Sequence, residues 1–382
     1  MADHDYTIRS LQKLVQINSV NPSLDPSGGG EKEIGLWIAG ALESLGLQTD
    51  IDEFEPGRLN VTGILPGTGG GKSLMLNAHM DTVGITGMEE PFSGAIRDGK
   101  LYGRGAYDMK GGAAAMLGAA KALVDSGQRL KGDLILSFVA DEEYASLGAQ
   151  RLVEKYKSDS AIVTEPTGLG ICLAHRGFGI FKVVSEGKTA HGGKHREGVD
   201  ANAKMGLLLT ELHGLAKELP EQKKHPLCDE ASIHVPLIEG GRSLFIYSNQ
   251  CTIHVERRTL PGETQEEVTA ELNSLLEKVR QQDPEFTASL ECMLWREPYE
   301  IAAERPIVKD LQESAKSVLG QVPPFMGHTW WEDSAVFGQA GMETVIMGPT
   351  GGGIHQDIEW VETESVVQLA DILSDTARRY CG

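Results

Sequence analysis

Leu74-Met75-Leu76-Asn77-Ala78-His79-Met80-Asp81 is an apolar run that closes on a histidine and an aspartate two residues apart. Residues two apart on a strand point the same way, so His79 and Asp81 share a face. Histidine is a common metal ligand, and a carboxylate beside it can hold the second ring nitrogen. By itself such a pair is an ordinary polar strand edge. What gives it weight is repetition: further acid- or histidine-bearing stretches stand where other apolar runs end. Residues 134–140 lead into Asp141-Glu142-Glu143, and 161–163 lead into Thr164-Glu165-Pro166. Asp108 lies in the stretch 100–112, and His355 follows the run 344–347 and a glycine loop, 348–353.

Around these runs the chain alternates strand and helix patterns. Helical spacing is expected over about 6–17, with Ile8, Leu11, Leu14 and Val15 on one face, and over 31–45, ending at Gly46. A small-residue helix is expected over 113–126, another up to about 156, and others over 306–319 and 362–380. The alternation predicts an α/β fold with a mixed, partly parallel sheet flanked by helices. In such sheets ligands collect beyond the carboxyl ends of the strands, where His79, Asp108, Glu142, Glu143 and Glu165 all fall. The loop Gly67-Thr68-Gly69-Gly70-Gly71-Lys72-Ser73 imitates a phosphate-binding loop, but Pro66 stands where its first glycine is required and a strand follows. It is read as a hairpin connection. From about residue 177 the texture changes to strands near 178–185, 232–237 and 251–258 with helices near 199–218 and 264–281. This predicts an inserted, smaller α+β domain.

A chain of 382 residues carries two domains by default. Its net charge of −20 excludes the clustered basic surface that nucleic acid or an anionic membrane needs. No apolar run reaches the roughly 18 residues of a membrane span. The first residues, Met1-Ala2-Asp3-His4-Asp5, lack the basic-then-apolar pattern of a signal peptide. Five scattered cysteines without a CxxC pair suit a reducing compartment, and a cytoplasmic location is expected.

Taken together, Ala78-His79-Met80-Asp81, the stretch 103–112, Asp141-Glu142-Glu143, Thr164-Glu165-Pro166-Thr167, Ala190-His191-Gly192-Gly193 with Gly198-Val199-Asp200-Ala201, Arg258 through Pro261-Gly262-Glu263, and Gly348-Pro349 before His355 resemble the M20 metallopeptidase/deacylase family. That family includes acetylornithine deacetylase, succinyl-diaminopimelate desuccinylase and glutamate-releasing carboxypeptidases. The resemblance spans nearly the whole chain. It implies a zinc-peptidase-like catalytic domain from 1–176 and 294–382, and a lid and dimerisation domain from 177–293.

It further implies that His79, Asp108 and Glu165 bind one divalent ion and Asp108, Glu143 and His355 another, with Asp108 bridging. Zn²⁺ is expected first, with Co²⁺ or Mn²⁺ as alternatives. Three ligand carboxylates and one hydroxide would balance the four positive charges. Glu142 would be the general base, and Asp81 would hold His79. To reach the ions together, the adjacent Glu142 and Glu143 must lie in the turn beyond their strand; an isolated pair would read as an acidic helix start. His191 matches a histidine that stabilises the tetrahedral oxyanion, often across a homodimer, although Gly192-Gly193 and His195-Arg196 depart from the family's pattern there. Arg258 matches the arginine that grips a substrate carboxylate, with Arg257 as its structural neighbour and Glu256 where aspartate is usual. Trp330 and Trp331 either line an acyl or side-chain pocket or divide into one packed and one exposed residue. The reaction implied is hydrolysis of a small N-acyl amino acid. The alternatives are a dipeptidase or carboxypeptidase of the same family, or an inactive relative that binds a metabolite.

Overall fold

The strand Leu74–His79 is buried along its whole length, as expected of a strand covered on both faces. In the computed structural model, which describes residues 1–382, it is the centre of the largest sheet. Leu134–Val139 pairs with it in parallel on one side and Ser160–Val163 on the other. Glu343–Ile346 continues the parallel array beyond Ser160–Val163. Gln48–Glu55 and Arg58–Leu65 form an antiparallel hairpin at the opposite edge, where Arg58–Leu65 pairs with Leu134–Val139. Four parallel strands therefore end on the same side, at His79, Val139, Val163 and Ile346. This α/β architecture is the one the sequence predicts.

The connection 67–73 is not a hairpin. Arg58–Leu65 and Leu74–His79 are not neighbours, because Leu134–Val139 lies between them. The glycines instead run beside residues 130–132, with Thr68 N–H donating to the Leu130 carbonyl and Gly69 N–H to that of Lys131. A long apolar strand with no polar face gains most from the interior of the sheet, and it displaces the sequential pairing.

Helix Gly111–Ser126 packs on His4–Gln16 and Thr363–Cys381, and the latter also meets Pro306–Leu319. Small residues permit the closeness: a Cβ on Gly112 would meet the Thr164 carbonyl oxygen at 2.4 Å. Lys32–Ser44 covers the edge hairpin.

The chain divides into two units, 1–173 with 301–326 and 332–382, and 174–300 with 327–331. The second unit begins and ends a few residues outside the 177–293 expected, since Tyr299–Glu300 pairs with Ala174 and His175. It holds a four-stranded antiparallel sheet in the order Ser232–Gly240, Gln250–Thr259, Gly177–Glu186, Thr287–Arg296. Alternate residues of Gly177–Glu186 are buried, and Phe181 and Val183 pack with Met205 and Leu208 of Ala201–Gln222 and Leu272 and Leu276 of Gln265–Gln282. The second of these helices starts at a capping box formed by Thr264 and Glu267.

Candidate metal centre

His79 ends its strand 2% exposed. Its Nδ1 lies 3.0 Å from the backbone carbonyl oxygen of Asp81. With Nδ1–H donated there, Nε2 faces a cluster of acids: Asp108 Oδ1 at 3.1 Å, Glu165 Oε1 at 3.5 Å and Glu142 Oε2 at 4.0 Å. The expected role of Asp81 changes in one respect. Its carboxylate is 3.7 Å from Nδ1 and is turned to other donors. It accepts the backbone N–H of Glu142 at 3.1 Å and of Glu143 at 3.2 Å, and Asn21 Nδ2 at 2.8 Å. Those two amides sit in a turn with no strand partner, and a buried N–H must find an acceptor. Asp81 thus holds His79 with its main chain and the acidic turn with its side chain.

That turn is where Glu142 and Glu143 need to be. Leu134–Val139 ends before them and the next helix starts only at Leu147, so neither belongs to a helix start. Asp108 lies in an irregular segment ahead of helix Gly111–Ser126, and its peptide bond to Met109 is cis. Asp108 Oδ2 is 3.3 Å from His355 Nε2, which is 3.2 Å from Glu143 Oε2. Two triads result, His79–Asp108–Glu165 and Asp108–Glu143–His355, each with its ligand atoms within 4.8 Å of one another. They share Asp108.

The electrostatics fit divalent cations. Burial, with Asp108 close by, pushes the Glu143 carboxyl up to about 7 and raises that of Glu165. Burial raises Glu142 as well, opposed by His79 and reinforced by Asp333 and Glu143. The same acids favour the protonated form of both histidines: hydrogen bonds to Asp108 and Glu143 lift His355 to about 10, and Glu165 and Asp108 raise His79 against its burial. Crowded acids that borrow protons from each other and from imidazoles are a site short of positive charge. Buried Oε1 atoms of Glu143 and Glu165 have no hydrogen-bond partner. Imidazole and carboxylate donors of this number suit Zn²⁺ or a similar ion.

Several neighbours escaped the sequence reading. Arg58 forks onto Glu31 at 2.7 and 2.9 Å and reaches Asp141 at 2.6 Å, and Asn21 joins Asp141 to Asp81. Glu359, only 1% exposed, accepts from the segment that carries Asp108. Asn21, Arg58 and Glu359 stand in no motif, and only their burial marks them.

His191 and Arg258 belong to the second unit. His191 is exposed, and its Nδ1 accepts the Gly193 N–H at 3.1 Å, which leaves Nε2 as the donor. Arg257 and Arg258 separate cleanly. Arg257 is fully buried and bonded to Glu263 at 2.6 Å and Glu271 at 3.0 Å. Arg258 points to the other face of the sheet, partly exposed, with its guanidinium over the Phe178 ring and Nε 2.5 Å from Glu256. Trp331 packs edge-on against Phe178 and donates Nε1–H to the Glu297 carbonyl, while Trp330 is exposed and stacks on His328.

A family model described as peptidase family M20/M25/M40 matches residues 75–379. An acetylornithine deacetylase of Myxococcus xanthus is 28% identical, with 89% of this chain and 90% of that one covered. An N-formyl-4-amino-5-aminomethyl-2-methylpyrimidine deformylase of Bacillus subtilis (strain 168) is 28% identical, with 99% and 98% covered. Among solved structures, aminopeptidase PepT from Bacillus cereus superposes with a TM-score of 0.81 at 21% identity over 100% of both chains.

Proposed function

The chain belongs to peptidase family M20/M25/M40, and from that membership we propose that it hydrolyses the amide bond of a small N-acyl amino acid. It is a metal-dependent amidohydrolase. The observation that carries the hydrolytic reading is the pair of triads joined at Asp108, with Glu142 outside both but beside His79. When bound by these triads, divalent ions (Zn²⁺ before Co²⁺ or Mn²⁺) supply Lewis acidity toward the amide carbonyl and lower the pKa of water. Glu142 accepts a proton from the attacking water and returns it to the amine nitrogen as the C–N bond breaks. Its burial keeps its proton affinity above that of an ordinary carboxylate, which suits both transfers. Arg258 offers its free guanidinium edge to the substrate carboxylate, held flat by Phe178. His191 offers Nε2–H to the carbonyl oxygen as negative charge builds there. The curated relatives named for acetyl and formyl substrates favour a small acyl group.

A homodimer formed through the second unit completes the reading. Ser232–Gly240 is an edge strand whose Leu237 and Ile238 are both more than half exposed. Leu244 and Phe245, in the loop that follows, are exposed as well, and Gly192 beside His191 donates to the Phe245 carbonyl. No helix is long and apolar enough to cross a membrane, and all five cysteines are free, which favours a reducing compartment such as the cytoplasm.

Glu142→Ala tests the assignment of the base. Turnover is expected to fall about 10²–10⁴-fold or more while the bound-metal stoichiometry is unchanged. A near-normal rate contradicts the role.

A further inference from the structure

The two ligands that approach each other across the second triad, Asp108 and His355, are far apart in sequence and sit on irregular backbone. Asp108 lies in a segment without regular helix geometry, and His355 has a φ of 58°. Neither strand nor helix hydrogen bonding sets their spacing. A buried ion pair spans the two segments. Glu359, four residues after His355, is 1% exposed and Arg104, four before Asp108, is 3% exposed. One carboxylate oxygen of Glu359 accepts from Arg104 Nη1 at 2.7 Å and from the Gly105 N–H at 3.0 Å. The other accepts from the N–H of Tyr107 at 2.9 Å and of Asp108 itself at 3.1 Å. Arg104 completes the brace by donating Nη2–H to the Gln356 carbonyl at 3.2 Å and Nε–H to that of Gly84 at 3.0 Å.

The brace has no slack. Gly105 adopts φ of 77°, and a Cβ there would lie 2.6 Å from Thr82 Cγ2. All four acceptor positions on Glu359 face donors, so the carboxylate cannot rotate without orphaning a buried N–H. An anionic group placed under a carboxylate ligand also costs electrostatic energy, and the three backbone amides and Arg104 offset it locally.

We propose that Glu359 is a positioning residue, which with Arg104 sets the distance between Asp108 and His355 and thereby the affinity of the second ion site. The inference rests on the reading of the two triads as metal sites. His79 and Glu165 lie outside the brace, so the first site depends on it only through Asp108. Glu359→Gln keeps size but sets an NH₂ against N–H donors, and Arg104→Lys keeps charge but loses the fork that reaches Gln356.

The experiment is calorimetric titration of Zn²⁺ into metal-stripped protein, with the melting temperature of the metal-stripped form as a second readout. The wild-type chain is expected to bind two ions. Glu359→Gln and Arg104→Lys are expected to weaken the second at least tenfold, in the range typical of groups that orient ligands, with the first changed less. Glu359→Asp, which keeps the charge on a shorter stem, is expected to fall between. Equal binding by wild type and both variants overturns the inference and leaves the metal reading intact. Loss of both ions in step with a fall in melting temperature in every variant also overturns it, since Glu359 then serves only the fold. Failure of the wild-type chain to bind any ion overturns the metal reading itself.

Discussion

At the residue scale, the adjacent arginines separate by what each side chain touches. Arg258 lies on the open face of its sheet and Arg257 in the core. Arg258→Ala is expected to raise KM for a carboxylate-bearing substrate at least tenfold and to leave the melting temperature nearly unchanged. Arg257→Ala is expected to lower the melting temperature, because it takes a buried guanidinium from Glu263 and Glu271 and leaves them to Lys223. Kinetics and thermal melts on the two variants check both; a reversed pattern assigns the substrate contact to Arg257. The candidate ligands were legible because each closes an apolar run or a glycine-rich motif. Side chains that serve the main chain were not. Asp81 was read as the holder of the His79 ring, but its carboxylate spends itself on the amides of Glu142 and Glu143, partners that no sequence pattern marks. Glu359 pairs with Arg104 across more than 250 residues, and nothing local announces the contact.

At the element scale, the second unit carries its own pH dependence. Burial acts to raise the Glu263 carboxyl, but Lys223 and Arg257 outweigh it and hold it below the usual glutamate range. A depressed folded pKa contributes stability that is present above the unfolded value, about 4.3, and is lost as pH falls through the folded one. Glu263→Gln is therefore expected to lower the melting temperature at pH 7, and the difference from wild type is expected to shrink below about pH 4. A constant difference across that range contradicts the ion-pair account. The edge strand Ser232–Gly240 gives a second expectation: Leu237→Lys with Ile238→Lys shifts a dimer to monomer in sedimentation, whereas an unchanged mass moves the interface elsewhere. Strand and helix patterns were readable because burial repeats with the period of each element. The pairing order was not, since Leu134–Val139 inserts between Arg58–Leu65 and Leu74–His79 through contacts far apart in sequence.

At the scale of the whole molecule, the acid-rich composition and the centre tell one story. The net charge of −20 disfavours polyanions, and the crowded acids beyond the strand ends call for cations. The family and the α/β sheet were within reach of the sequence, because the motifs occur in fixed order along one chain. Of the candidate ligands, His79, Glu143 and Glu165 lie at or just past strand ends, whereas Asp108 lies in an irregular segment ahead of a helix and His355 in a loop. The acyl group is set by side chains scattered over loops, and no spacing encodes it. The most direct test is hydrolysis of N-acetyl, N-formyl and N-succinyl amino acids and of dipeptides by metal-stripped protein, with and without Zn²⁺, Co²⁺ or Mn²⁺. The account predicts no cleavage by the stripped protein and restored cleavage of one acyl class on metal addition. Cleavage that persists without metal, or metal-restored cleavage of dipeptides alone, contradicts it.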